Sequence, residues 1–421
     1  MTRAERFDDR LGTGLADLAD PTFPDYYHDV LAIASRTRQR PAWTFPGRWI
    51  PMVDIARRPA FAPALPWRSL ALLAALLLMA SMVALIAGSR ARVPAPFGPA
   101  KNGQISYSSN GDVYVGDPDG ASRLVLGGPE EDLDPAFSRS GTMLFFIRAE
   151  AGGVFSLWSI RPDGTHLAQV APATLQDPFF ADWGPTDETI YYTAPVGGTY
   201  RLHVARSDGT GTPTIVAPDL EIRQVSFRPP DGREMVVRGE DSKGVGLYLM
   251  NADGTNRRTL VAPDGTPSEE HDMGQPRFSP DGRQVAYQHW DAAFTNMRMH
   301  VIDVDGSNDH VIHWSNASFE GWPVWLLDSK RLIIQRAFPK PNEYLHFGYP
   351  FVVVQADGSG EAREIGPPVA GNNAELSPDG RFLLQFRPEG ETQTIIDVES
   401  GTYRLVPWQS NSYPSWQRLA P

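Results

Sequence analysis

Three features of this 421-residue sequence predict an all-β fold, a β-propeller of four-stranded blades. The first is a recurring turn. Asp119-Gly120, Asp163-Gly164, Asp208-Gly209, Asp253-Gly254, Asp305-Gly306 and Asp357-Gly358 follow one another, with Ser400-Gly401 as a variant, at intervals of 44, 45, 45, 52, 52 and 43 residues. The second is the alternating segment before each turn, such as FSLWSIR, YRLHVARS or MRMHVIDV, with a short apolar segment after it. Alternation with period 2 is the signature of a strand. The third is a second turn interleaved with the first: Phe137-Ser-Arg-Ser-Gly141, Trp183-Gly-Pro-Thr-Asp187, Phe227 through Gly232, Phe278-Ser-Pro-Asp-Gly282, Trp325 through Asp328, and Leu376-Ser-Pro-Asp-Gly380. Pro presets φ, Asp bonds the local backbone and Gly supplies positive φ, which is the chemistry of a strand-joining turn. Four short strands in each unit of about 45 residues make a propeller blade.

Taken in order, residues 1–66 come first as an N-terminal segment. Tyr26, Val30, Leu31 and Ile33 fall near helical spacing, Asp25 is a cap candidate, and Pro41 ends the pattern. One helix in so short a segment buries little, so the expectation is a tail or a docking segment for a cytoplasmic protein partner. Residues 69–88, SLALLAALLLMASMVALIAG, hold no charge and are long enough for a transmembrane helix in contact with membrane lipid. Arg36, Arg38, Arg40 and Arg48 weight the N-terminal flank, which places the N-terminus in the cytoplasm and the remainder outside it. Residues 1–68 carry 10 Arg and 8 acids, net +2; the rest carries 28 basic and 42 acidic residues, net −14. A linker, 89–100, then leads to the ring, 101–421.

The ring's ends predict how it closes. Gly103–Ser109 reads as the second strand of a blade, and Pro414-Ser-Trp416 near the C-terminus repeats Pro276-Arg-Phe278, the first strand. The C-terminal strand is therefore expected to complete the first blade and remove the exposed edges. Counting the Asp-Gly and Ser-Gly turns predicts seven blades, or six if one degenerate unit serves as a loop.

The F/W-S-P-D-G turn, two strands and second D-G turn resemble the TolB-like, or WD40-like PD40, propeller family, over roughly residues 100–421. Phe278–Gly282 and Leu376–Gly380 fit best, and Trp325–Asp328 departs most. The resemblance implies an extracytoplasmic protein that binds proteins or peptides at a propeller face. Related propellers precede a serine-peptidase domain or act as lyases. The short helix, Arg-Gln-Arg-Pro run and membrane span resemble membrane-anchored anti-sigma-factor-like proteins of bacteria. Their His/Cys zinc pattern is absent, since the chain has no Cys.

For function, the absence of Cys excludes disulfides, thiolate metal sites and a thiol nucleophile. The net charge of −12 argues against a nucleic-acid partner. No G-x-S-x-G, H-E-x-x-H, Walker or dinucleotide motif occurs. The leading expectation is thus a non-catalytic binding or sensing propeller, without cofactor, whose cytoplasmic segment passes a signal. Its rivals are a metal-dependent lyase or hydrolase at the channel mouth and a structural envelope scaffold. Loops entering the innermost strands supply the predicted binding residues: Glu131, Asp132 and Asp134; Phe179 and Phe180; Glu270, His271 and Asp272; Glu320 and Trp322; Asn372 and Asn373; and Tyr413. Acids among aromatics suit a basic or amphipathic protein, peptide or envelope ligand. His289 and His300, on adjacent strands, are the metal candidates that the lyase reading requires.

Overall fold

A computed structural model describes residues 71–79, 81, 93–176, 180–263, 273–290, 296–312, 319–337, 349–369, 374–386 and 392–420. The chain divides into two compact units, Met1–Ser89 and Arg90–Pro421. In the first, residues 71–79 and 81 are helical and exposed, as a Leu- and Ala-rich stretch favours. The remainder of 69–88, and all of 1–66, lie outside the described residues. Among the described residues no helix is long and apolar enough to cross a membrane.

The second unit is all β. Its described strands form five four-stranded antiparallel sheets and one eight-stranded sheet. The latter contains two successive strand sets joined by a single parallel pairing, Met297 with Phe319. Within each set the strands run in chain order, with one exception. Ser415–Leu419, at the C-terminus, pairs antiparallel with Lys101–Ser109 and sets Trp416 opposite Ile105, so the last strand completes the first sheet.

The turns use the chemistry read from the sequence. In the Asp-Gly turns the Asp carboxylate accepts the backbone N–H two residues on, at 2.9 Å each time: Thr165 to Asp163, Thr210 to Asp208, Thr255 to Asp253, Ser307 to Asp305 and Ser359 to Asp357. The Gly that follows takes positive φ, 87° at Gly164 and 88° at Gly306, where a side chain would be strained. In the other turn Ser279 and Ser377 donate to Asp281 and Asp379 at 2.6 Å.

Packing follows from the period of 2. Successive side chains of a strand point to opposite faces, so each sheet presents apolar residues to both neighbours. Leu144 and Phe146 pack back against Val113 and Val115, whereas Phe145 and Ile147 pack forward against Trp183 and Ile190. The same division recurs at each sheet interface. It ends with Trp408, Ile395 and Leu384 of the last sheet against Ile105, Tyr107 and Trp416 of the first, which closes the ring. The aromatic of each first strand, replaced by Leu376 in one, is a wedge between sheets: Trp183 is 1% exposed and Phe227 3%. Burying one such side chain contributes about 1.5–3 kcal/mol.

Candidate functional site

The first strands of the successive sets surround one central cavity of about 810 Å³. They are Glu131–Phe137, Ala181–Trp183, Glu221–Phe227, Gly274–Phe278, Phe319–Trp325, Ala374–Leu376 and Ser415–Leu419. The residue just before the wedge position faces this cavity in every one: Ala136, Asp182, Ser226, Arg277, Val324, Glu375 and Ser415. This ring also ties neighbouring sheets together. Ser415 and Ser226 hydroxyls accept the backbone N–H of Phe137 and Phe278 at 3.3 Å, and the Glu375 carboxyl accepts that of Trp416.

Two residues earlier on each strand lies the mouth. Asp134, Phe180 and Tyr413 line the cavity there, together with Phe386. Asp134, Gln275 and Trp322 have positive φ, 50–52°, in a region costly for residues with a side chain. Side chains from adjacent strands hold this layer in place. Gln224 accepts the N–H of Gln275 at 2.6 Å, Gln275 accepts that of Trp322 at 2.9 Å, and Asp134 accepts that of Tyr413 at 2.8 Å. Trp322 and Phe319 line a second cavity of about 230 Å³ beside Gln288 and Arg238.

The opposite end, where the first strands finish, is occupied by the linker. Arg418 donates to the carbonyls of Ala95 and Gly98, and Phe97 lines the cavity under the Arg139 guanidinium, 4.8 Å from its ring centre.

The charges inside are uneven. Arg139 pairs with Asp182 at 3.1 Å and also donates to the carbonyls of Gly184 and Trp183. Arg418 donates to the carbonyls of Arg139, Ala95 and Gly98. Arg277 is open to the cavity yet walled by protein, and its hydrogen bond is to the carbonyl of Pro276 at 3.3 Å. Burial, reinforced by nearby Arg139, outweighs the attraction of Asp182 and lowers its pKa. Burial pushes Glu375 up to about 8, against hydrogen bonds from Trp416 and Ser415 that pull the other way. With Glu375 protonated at neutral pH, Asp182 and Arg277 balance within the ring, and Arg139 and Arg418 are further cations of the cavity wall, although the chain is acidic.

This changes the picture of an acidic mouth. Asp132 is buried and held at both oxygens by Arg148, at 2.7 and 2.9 Å. Glu320 is fully buried against Arg336 at 3.3 Å. Neither acid faces solvent, because each sits directly across from its arginine on the adjacent strand. Glu131 remains exposed. Asp134, Phe180 and Tyr413 come together around the cavity, and Trp322 lies at the neighbouring one. Phe179, Glu270, His271, Asp272, Asn372 and Asn373 lie outside the described residues. Sequence reading passed over Asp182, Arg277 and Glu375. Aligning the units on the wedge aromatic would have found them, as the only charged residues at the preceding position.

His289 and His300 lie away from this cavity, their rings edge to face at 5.6 Å. His300 Nδ1 is 3.2 Å from Asp309, whose other oxygen accepts the Tyr287 hydroxyl at 2.8 Å. Burial raises the Asp309 pKa, but hydrogen bonds from His300 and Tyr287 outweigh it and the net direction is down. No group of three metal-ligating side chains is placed to hold an ion among the described residues.

No family model matches the chain, and no curated protein does. Solved structures do. Puromycin hydrolase aligns at 15% identity and TM-score 0.52, over 76% of this chain and 55% of that one. Oligogalacturonate lyase in complex with manganese aligns at 14% and 0.52, over 74% and 85%. TolB from Acinetobacter baumannii aligns at 16% and 0.48, over 74% and 81%. A hydrolase and a lyase on one architecture leave the activity open. What topology and likeness together establish is the fold alone: the described strands from Lys101 onward form a β-propeller.

Proposed function

We propose that this chain is a membrane-anchored binding protein without catalysis, whose seven-bladed propeller lies outside the cytoplasm and takes a protein or peptide ligand at its open channel mouth. The observation that carries this reading is the cavity itself. It is of ligand size, has the linker at one end, and is rimmed at the other by Phe180, Phe386 and the 40%-exposed Tyr413. Exposed aromatics around a concavity are the usual anchors of a protein interface. Residues 69–88 anchor the chain in the membrane in this reading, and residues 1–66 dock a cytoplasmic partner in an anti-sigma-like way. Capture of envelope proteins on the intact chain tests the first part. Replacing both Phe386 and Tyr413 with Ala should abolish a stoichiometric partner, and unchanged capture would refute the mouth as the site. Deleting residues 1–60 should remove a cytoplasmic partner only.

The enzyme reading rests on the His289–His300–Asp309 cluster and on the manganese named for the lyase neighbour. Stoichiometric transition metal in untagged protein, lost on replacing both histidines, would favour it.

A further inference from the structure

We infer that the central cavity contains an anion site in which Arg277 receives a carboxylate of an acidic peptide. This rests on the binding reading above and names the class of ligand.

The argument starts from repetition. Three of the wedge residues are tryptophans, and two of them use the indole N–H alike. Trp183 Nε1 donates to the carbonyl of Ala136 and Trp325 Nε1 to that of Arg277, both at 3.0 Å, so each reaches the residue before the wedge in the preceding sheet. Trp416 holds the equivalent place and lines the same cavity, but its indole N–H is buried without a partner. A buried donor left unmade costs about 1–3 kcal/mol.

Arg277 is the donor that the cavity does expose. The other guanidiniums of the cavity wall are engaged, Arg139 by Asp182 and Arg418 by linker carbonyls. Arg277 has no carboxylate partner among the described residues, and its planar fork matches a carboxylate's two oxygens. Asp182, the acid whose charge reaches it, is already paired with Arg139 at 3.1 Å.

A peptide fits better than a sugar acid. Ser226 and Ser415 are the ring's only neutral polar side chains, few for a ligand with a hydroxyl on nearly every carbon. Between the charges the wall presents Phe145, Ile147 and Val324, which suit apolar side chains. The linker occupies the other end, so the carboxylate enters past Phe180, Phe386 and Tyr413.

The test is calorimetric titration of the full-length chain in detergent. The probes are C-terminally amidated triglutamate, amidated triglutamine, free-acid triglutamine and digalacturonate. Amidated triglutamate should bind at least about tenfold tighter than amidated triglutamine, and Arg277→Gln should erase the difference. Arg277→Lys, which keeps the charge but loses the planar fork, should weaken triglutamate about threefold to tenfold, and it carries the test if Arg277→Gln fails to fold. Free-acid triglutamine binding as well as amidated triglutamate would identify a C-terminal carboxylate as the group received. Equal binding of the two amidated peptides, or an unchanged affinity in Arg277→Gln, would overturn the anion site while leaving peptide binding intact. Absence of binding by every peptide, with envelope capture still dependent on Phe386 and Tyr413, would overturn the anion site alone. Binding of digalacturonate in place of the peptides would replace the peptide by a sugar acid.

Discussion

Asp132 and Arg148 face each other across two adjacent strands, joined by two hydrogen bonds of 2.7 and 2.9 Å, with Asp132 3% exposed. Glu320 and Arg336 repeat the arrangement elsewhere in the ring. Removing one partner leaves the other as a buried charge. Asp132→Ala should therefore destabilise the propeller by about 3–5 kcal/mol. The double variant Asp132→Leu with Arg148→Met should recover most of that loss. Urea unfolding of the three proteins measures both, and equal stability of Asp132→Ala and the parent would refute the pair's role.

Glu375 predicts the direction of a pH dependence. Its pKa is raised to about 8 in the folded chain, from the usual carboxylate value, mainly by burial. Its contribution is complete at pH values below the unfolded pKa and is lost as pH rises through about 8. Between pH 5 and pH 8.5 the unfolding free energy should fall by on the order of 2 kcal/mol, allowing for channel water, and the melting temperature with it. Glu375→Gln should flatten that slope and still accept the Trp416 N–H. A slope identical in the two proteins, measured by calorimetry, would show that another group titrates.

Ring closure depends on one wedge from the C-terminal strand. Trp416 is 3% exposed and packs with Tyr107, Trp408 and Leu384. Trp416→Ala should cost about 3–5 kcal/mol, chiefly by opening a cavity between the last and first sheets. Hydrogen exchange should then rise first along Lys101–Ser109 and Ser415–Leu419, the pair that closes the ring.

Membrane placement is open to a direct test because the chain has no Cys. Single-cysteine variants Ser35→Cys and Ser359→Cys bracket residues 69–88. In intact cells a membrane-impermeant maleimide should label Ser359→Cys and spare Ser35→Cys until the membrane is permeabilised. The reverse pattern would invert the orientation, and labelling of both would refute the span.

Much of the fold was legible because its causes are local. An Asp carboxylate reaching the N–H two residues on, a Gly at positive φ and side chains alternating along a strand all act within a few residues, and each repeats with the unit. The Pro414-Ser-Trp416 match carried the same logic to ring closure. The site was legible only in part. Asp134, Phe180 and Tyr413 were found from their place before the first strands, and they do meet around the cavity. Asp132 and Glu320 looked like rim acids because nothing in the chain near them shows an arginine. Their partners stand 16 residues away in both cases, opposite them on the next strand.

The sequence by itself thus determined the blade, its turns, its wedge aromatics and the apolar stretch at 69–88. Only the tertiary structure decided the character of the channel. Asp182, Arg277 and Glu375 are far apart in the chain, and closing the ring brings them around one cavity. There burial keeps Glu375 protonated, Arg139 engages Asp182, and Arg277 is left facing the space between them. Charge and hydrogen-bonding capacity in such a place depend on what surrounds each group in space, which a reading along the chain does not contain.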